Sequence, residues 1–395
     1  MTKNTVCLNM IVKDETPVIE RCLASVKDVI DYYIICDTGS TDGTQELIKK
    51  TMDGFGIPGE VVDCEWVNFC HNRNEALDLV KQNDKLDYAM FIDADEVLQY
   101  QNAEDVLPKN NPDMNIIDKS YGTLRYNIPF MVNVKNRSWK WEGVVHEYIL
   151  PGEQLSSQQE SGSSITSSRC PASSWILATP GEGVRSRGVT NEEKFLKDAE
   201  LLKAEHERSP DDLRTIFYLA QSYRDAGPKY FEKAIEFYDK RAKAGGWSEE
   251  QYYAQFQKGR LMLYCDKYSY DEAKTELITA CELRPTRSAE PLFELLKYQR
   301  GKKEYESGCF FGISAQSFMA YHSQDTLFID KLLYDWKLKD ELSVCLYYVG
   351  QHEFAARLLD DLIRRQDLPP QVRQRAVANM GLTLEKIPKL VGLRQ

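Results

Sequence analysis

Between residues 5 and 100, apolar runs alternate with stretches of helical spacing. The runs "TVCLNMIV", "DYYIICDT", "GEVVDCEW" and "DYAMFID" are short and nearly unbroken, the pattern of strands covered on both faces. Between them, "TPVIERCLASVKDV", "STDGTQELIKKTM" and "NFCHNRNEALDLVKQN" place apolar residues three and four apart, as an amphipathic helix does. Strands alternating with helices predict right-handed βαβ units, hence an α/β fold with a mostly parallel sheet flanked by helices. Ligands of such sheets bind beyond the carboxyl ends of the strands. Asp37 and Asp93 each follow an apolar run at such an end.

From about 120 to 150 the texture turns to mixed β, in "GTLRYNIPFMVNV" and "SWKWEGVVHEYIL". The serine-dense "EQLSSQQESGSSITSSRCPASS" is too polar to support a core and reads as a mobile loop or insertion. After about residue 190 only helical spacing remains. "DDLRTIFYLAQSYRDAG" and "KYFEKAIEFYDKRAKAGG" read as a hairpin broken at a glycine, and "YYAQFQKGRLMLYCDKYSYDEAKTELITACELRP" as a second one. In the second, Tyr264, Ala273, Leu277, Ala280 and Pro285 follow the tetratricopeptide spacing. "DELSVCLYYVGQHEFAARLLDDLI" repeats the theme with Gly350 and Ala355. The expected organisation is an α/β domain over 1–152, a serine-rich loop closing it over 153–190, and an all-α, TPR-like solenoid over 191–390.

The formal charge of −11 argues against a nucleic-acid partner or an anionic bilayer, both of which require a positive field. No apolar run approaches the roughly 20 residues of a membrane span. The opening "MTKNTVCLNMIVKDE" runs straight into a strand pattern, and the expectation is a cytoplasmic protein with no transmembrane segment. The ten cysteines show no CxxC pair and read as free thiols.

The chemistry gathers in "FIDADEVL". Two aspartates one residue apart, leaving a strand, can converge on one hard cation of the Mg2+ or Mn2+ kind, which completes its shell with substrate phosphates. An EF-hand reading fails, because Leu98 stands where the loop needs glycine, and neither GxxxxGK nor GxGxxG occurs. Upstream, "CDTGSTDGT" offers Asp37 at a strand end, with Asp42 placed to cap the following helix. "NFCHNRNEAL" puts Arg73 near a helix start, where a guanidinium can reach a phosphate or a base oxygen.

In order and spacing, "LNMIVKDE", "DTGSTDGT", "NFCHNRNEAL", "MFIDADEVL" and "WEGVVHEYI" resemble the nucleotide-sugar domain of family 2 glycosyltransferases of the GT-A type. "GEGVRSRG…FYLAQSYRDAG" resembles members that carry a C-terminal tetratricopeptide region. The resemblance implies a nucleotide-sugar donor, a UDP-sugar with UDP-glucose first, and Mn2+ or Mg2+ as cofactor. It implies that Asp37 contacts uracil or ribose and that the backbone of Asn9, Met10 and Ile11 lines the base pocket. Asp95 becomes the main metal ligand, with Asp93 and Ala94 beside it at the ribose or a metal-bound water, and Arg73 close to the nucleotide. Glu15 either approaches the nucleotide or serves at the surface. His146 is the candidate further metal ligand, or else a satisfied histidine at a strand end. Arg185 and Arg187 either clamp the departing diphosphate or are surface charges; the histidine that related proteins carry in this loop is missing here. An inverting transfer needs a carboxylate base, Glu147 or Glu142, and if strand alternation holds only one of the two faces the pocket. Trp139 and Trp141 share a face and either stack on a sugar or pack in the core.

The function expected is a metal-dependent inverting hexosyltransferase acting on a glycan or protein acceptor, with the helices docking a protein partner or a second copy. The alternative is a TPR interaction scaffold whose transferase domain is degenerate; metal-dependent retention of a nucleotide sugar separates the two.

Overall fold

A computed structural model describes residues 4–122, 124–154, 164–179, 181–184, 187–319 and 325–387. The chain forms two compact units, Met1–Gly227 and Pro228–Gln395.

The first unit opens with β1 (Val6–Val12), α1 (Ile19–Val26), β2 (Tyr32–Asp37), α2 (Thr44–Phe55), β3 (Gly59–Asp63), α3 (Phe69–Lys81) and β4 (Tyr88–Met90). β3, β2, β1 and β4 lie side by side in that order, all parallel. β1 and β2 are apolar along their length because helices cover both faces. Ile19, Leu23 and Val26 of α1 and Ile48 and Met52 of α2 pack with Val6, Leu8 and Met10 on one face. Leu77 and Val80 of α3 pack with Cys7, Ile34 and Ala89 on the other.

Beyond β4 the sheet becomes mixed. It adds β7 (Leu124–Asn133, antiparallel to β4), β6 (Met114–Tyr121, antiparallel to β7), β11 (Trp175–Ala178, parallel to β6) and β5 (Glu96–Gln99, antiparallel to β11). β8 (Arg137–Glu142) and β9 (Tyr148–Gln154) form a separate antiparallel pair. Part of the serine-rich stretch is built into the sheet: β10 (Ser167–Arg169) pairs with β6, and Cys170 and Ser174 are buried. That corrects the loop expectation for those residues, because β6 offers its edge as a template. Residues 155–163 lie outside the described residues.

α4 (Asn191–Arg208) and α5 (Leu213–Ala226) complete the unit. α4 starts with a capping box between Thr190 and Glu193. The change from strand to helix near 190 therefore precedes the packing boundary at Gly227. The hairpin read across Gly227 is split: α5 packs on α4, while α6 (Phe231–Lys243) packs on α7 (Ser248–Met262).

The second unit continues with α8 (Tyr270–Leu283), α9 (Ala289–Gly301), α10 (Tyr305–Phe318), α11 (Leu338–Tyr348), α12 (His352–Arg364) and α13 (Pro370–Lys386). Sequential neighbours pack, as in a solenoid. Gly259 permits the closest approach of α7 and α8, since a Cβ there would lie 2.9 Å from the Leu277 backbone nitrogen. Ala273, Leu277 and Ala280, the small and apolar positions of the repeat pattern, are fully buried. Among the described residues, no helix is long and apolar enough to cross a membrane.

Candidate active site

β4 ends at Met90, opposite Leu8, so β1 from Asn9 onward has no strand beside it on that side among the described residues. This opening, at the carboxyl edge of the parallel strands, is where the strand order reverses and ligands of open α/β sheets bind. Asn9, Met10 and Ile11 are the β1 residues on this stretch. The Asn9 side chain is spent on structure, its Nδ2 donating to the Ala76 carbonyl of α3 at 2.9 Å, and Met10 is buried in the core.

Asp37, the last residue of β2, is buried. Its Oδ1 accepts the Gly39 and Ser40 N–H groups at 2.9 and 2.7 Å, a turn that glycine permits because φ at Gly39 is +98°. Its Oδ2 is also buried and has no hydrogen-bond partner. A native protein rarely leaves such an acceptor unpaired unless something outside the chain supplies the donor.

The loops after β1 and β2 are stitched together. Asp14 accepts the Thr41 N–H at 2.7 Å, and Asp42 accepts the Thr16 and Thr44 N–H groups, each at 3.1 Å. Burial works against the Asp42 carboxylate, but the hydrogen bonds from Thr16 and Thr44 prevail and bring its pKa down to about 2. Asp42 thus caps α2 from one residue before the formal N-cap, Gly43.

The acids beyond β4 divide. Asp93 is half-exposed: Arg73 of α3 donates to its Oδ1 at 2.7 Å, and the Lys119 ammonium lies 3.9 Å from its Oδ2. Ala94 is buried. Asp95 has its pKa raised by burial and by the charge of Asp93. Glu96, the third acid of the run, does not point at the opening. It is buried, accepts the Asp93 N–H at 3.1 Å and pairs with Lys119; burial lifts its pKa to about 7, while the two carboxylates hold Lys119 protonated. The sequence reading missed Lys119. Its strand, β6, carries no clean alternation, and only the sheet order brings β6 to this edge.

Over Asp95 lies the segment around Gly183, where a Cβ would sit 2.5 Å from Asp95 Oδ2. That segment is tied down by Glu15, which accepts the Val184 N–H and an Arg187 N–H, both at 3.1 Å. Burial raises the Glu15 pKa to about 6. Arg187 also donates to the Glu182 and Asp14 carbonyls. Glu15 and Arg187 are thus each other's partners. Arg185 lies outside the described residues.

On the other flank, α3 anchors the β8–β9 pair. Asn74 donates to the Trp141 carbonyl at 2.9 Å and accepts the Trp141 N–H at 2.8 Å, and Lys81 donates to the Trp139 carbonyl at 2.8 Å. Trp139 and Trp141 are buried, with Trp141 edge-on to Phe91 and its ring 5.2 Å beneath the Arg73 guanidinium. Core packing, not sugar stacking, is their fate. Between β8 and β9 the chain turns through Gly143 (φ +95°) and His146 (φ +57°). Glu142 and Glu147 therefore lie on opposite sides of a turn, and strand alternation does not set their facing. Glu147 is largely buried, 3.8 Å from Arg73 Nε. Glu142 is more open and near the Lys140 ammonium and the Tyr148 hydroxyl, each at 3.4 Å.

Among the described residues, no group of three or more His, Cys, Asp or Glu side chains is arranged to hold a metal. Asp93, Asp95 and His146 thus do not stand as a preformed shell. The His146 ring stacks on Tyr218 of α5, 4.2 Å between centroids. Asp95, acidic, partly buried and without a cationic partner as close as those of Asp93, is the residue that fits a hard cation.

Fold and site define an open-sheet α/β domain that gathers acids and an arginine at its carboxyl edge. Residues 7–122 match the glycosyl transferase family 2 model, so this part of the chain is a glycosyl transferase family 2 domain, and a helical region follows it. A TPR repeat-containing protein of Synechococcus elongatus is 36% identical over 94 residues, 24% of this chain and 21% of that protein. The SPbeta prophage-derived glycosyltransferase SunS of Bacillus subtilis is 32% identical over 99 residues, 25% of this chain and 22% of that one. The match spans about a fifth of the length of each of these relatives. A crystal structure of S. aureus TarS 1-349 with UDP-GlcNAc covers 79% of this chain and 92% of that one at 13% identity, with a TM-score of 0.31, a likeness too slight to argue from.

Proposed function

We propose that the chain is an inverting glycosyltransferase that moves a hexosyl group from a UDP-sugar to a hydroxyl of a glycan or protein acceptor. The observation that carries this reading is the buried Asp37 carboxylate, with one oxygen satisfied by its own turn and the other unpaired. A uracil N–H or a ribose hydroxyl is the donor such an oxygen lacks.

The remaining roles follow from charge. Arg73 and Lys119 hold Asp93 oriented at the ribose side of the opening. Asp95 would hold Mn2+ or Mg2+; when bound, the cation supplies charge neutralisation to the departing diphosphate. Arg187, tethered by Glu15, stands as the candidate cation for the same group. Glu147 takes the acceptor proton as the acceptor oxygen bonds to the anomeric carbon and the bond to the diphosphate breaks. Arg73, with its Nε 3.8 Å from Glu147, is the cation that faces this carboxylate.

Thermal shift over UDP-, GDP- and CMP-sugars with Mn2+ tests the reading, because a ligand of the native state raises its melting temperature. UDP-glucose is the first donor to try. A UDP-sugar shift that needs the cation and is lost in Asp95→Ala is expected. No shift with any donor, or an Asp95→Ala variant identical to wild type, rules it out.

A further inference from the structure

We propose that Arg214 and Tyr218, on the first turns of α5, are positioning residues of the transfer site. They hold the His146 turn and thereby place the Glu147 carboxylate. The inference rests on the proposed function for its chemistry, though not for its geometry.

His146 adopts φ +57°, a left-handed conformation that is strained for a non-glycine residue and persists only where the surroundings enforce it. Two contacts from α5 do so. Arg214 donates to the His146 carbonyl at 3.1 Å, and the Tyr218 ring stacks on the imidazole at 4.2 Å with 18° between planes. Arg214 is itself held between two rings, its guanidinium 4.3 Å from the Tyr148 centroid and 4.8 Å from that of Tyr218. The start of α5 is set by Asp212, which accepts the Arg214 and Thr215 N–H groups at 3.2 Å. The next residue after the clamped turn is Glu147, 3.8 Å from Arg73, which holds Asp93. A helix that reads in sequence as part of a repeat thus spends its first two turns on the transfer site.

The test uses the full chain. Arg214→Met keeps the aliphatic stem and removes the donors. Its kcat should fall about tenfold, the order expected for a misplaced group, with the donor KM within about twofold of wild type. Amide exchange over residues 143–148 should accelerate while the melting temperature moves little. Arg214→Lys, which keeps a charge and a donor, should recover part of kcat. Tyr218→Leu should repeat the Arg214→Met pattern, and Tyr218→Phe, which keeps the stacking ring, should recover most of the kcat lost in Tyr218→Leu. Unchanged exchange over 143–148 in both Arg214→Met and Tyr218→Leu overturns the clamp, as does a kcat loss that merely follows weaker donor binding. If wild type turns over no donor, the transferase reading fails, and the exchange comparison still decides the clamp.

Discussion

Arg73 and Asp93 are joined at 2.7 Å across the opening at the carboxyl edge of the sheet, although they come from different elements, α3 and the loop after β4. The pair divides the labour of the acids: a carboxylate bound to a guanidinium, with a lysine nearby, is a poor first ligand for a cation. On the proposed reading, Asp95 is left for that task.

Replacing Arg73 should therefore harm binding and turnover together. Arg73→Met takes from Asp93 and Glu147 the cation they share. A loss of about 100-fold in kcat/KM is expected, the scale of removing one well-placed donor. Arg73→Lys should retain part of the activity, because an ammonium keeps the charge but lacks the fork. Steady-state kinetics on the three proteins decide it.

Asp37→Asn keeps the shape and the oxygen that accepts Gly39 and Ser40, but exchanges the unpaired acceptor for an amide. Loss of a charge-assisted hydrogen bond of about 1.5–3 kcal/mol predicts UDP affinity lower by roughly 10- to 100-fold. Titration calorimetry with UDP measures it, and the melting temperature without ligand should hardly move.

Gly183→Ala brings a Cβ within 2.5 Å of Asp95 Oδ2, the end of a side chain that can swing away. The fold should survive, while the cation dependence of UDP binding should weaken. UDP affinity measured across a Mn2+ series reads this directly. An unaltered Mn2+ dependence would separate the Gly183 segment from the cation site.

Glu15 sets a pH dependence. Its pKa is raised by burial to about 6, so the folded state holds its proton longer than the unfolded chain does. Its stabilising contribution is full below about pH 4.5, falls as pH rises towards 6, and levels off above that. Glu15→Gln removes this dependence. Melting curves from pH 4 to 7.5 should show the variant gaining on wild type through that window, with no further gain above it.

In the helical unit, Gly259→Ala forces a methyl against the Leu277 backbone at 2.9 Å. Overpacking of this kind costs about 1–3 kcal/mol. Chemical denaturation should register the loss.

The repeat pattern was legible where it depends on local spacing. Ala273, Leu277 and Ala280 lie one turn apart on α8 and bury the face their spacing implies. The same spacing misjudged α5, because a helix bears no mark of which neighbour it packs against. Part of the serine-rich stretch was misread for a similar reason: β10 is ordered by the edge of β6, not by its own residues.

The parallel half of the sheet and the acids at its edge follow from sequence alone, since strands buried on both faces must be apolar and an acid ending one has only the rim to occupy. Asp37, Asp93 and Asp95 could be named that way, and Arg73 from its place near the start of a helix. Which of them are paired, and by what, was decided by the tertiary structure. Lys119 reaches Asp93 and Glu96 only through the order β4-β7-β6 in the sheet, and Glu147 reaches Arg73 only because α3 carries the β8–β9 turn. Chain periodicity records which face of an element is covered; it holds no record of the side chain that arrives from a hundred residues away to set a charge.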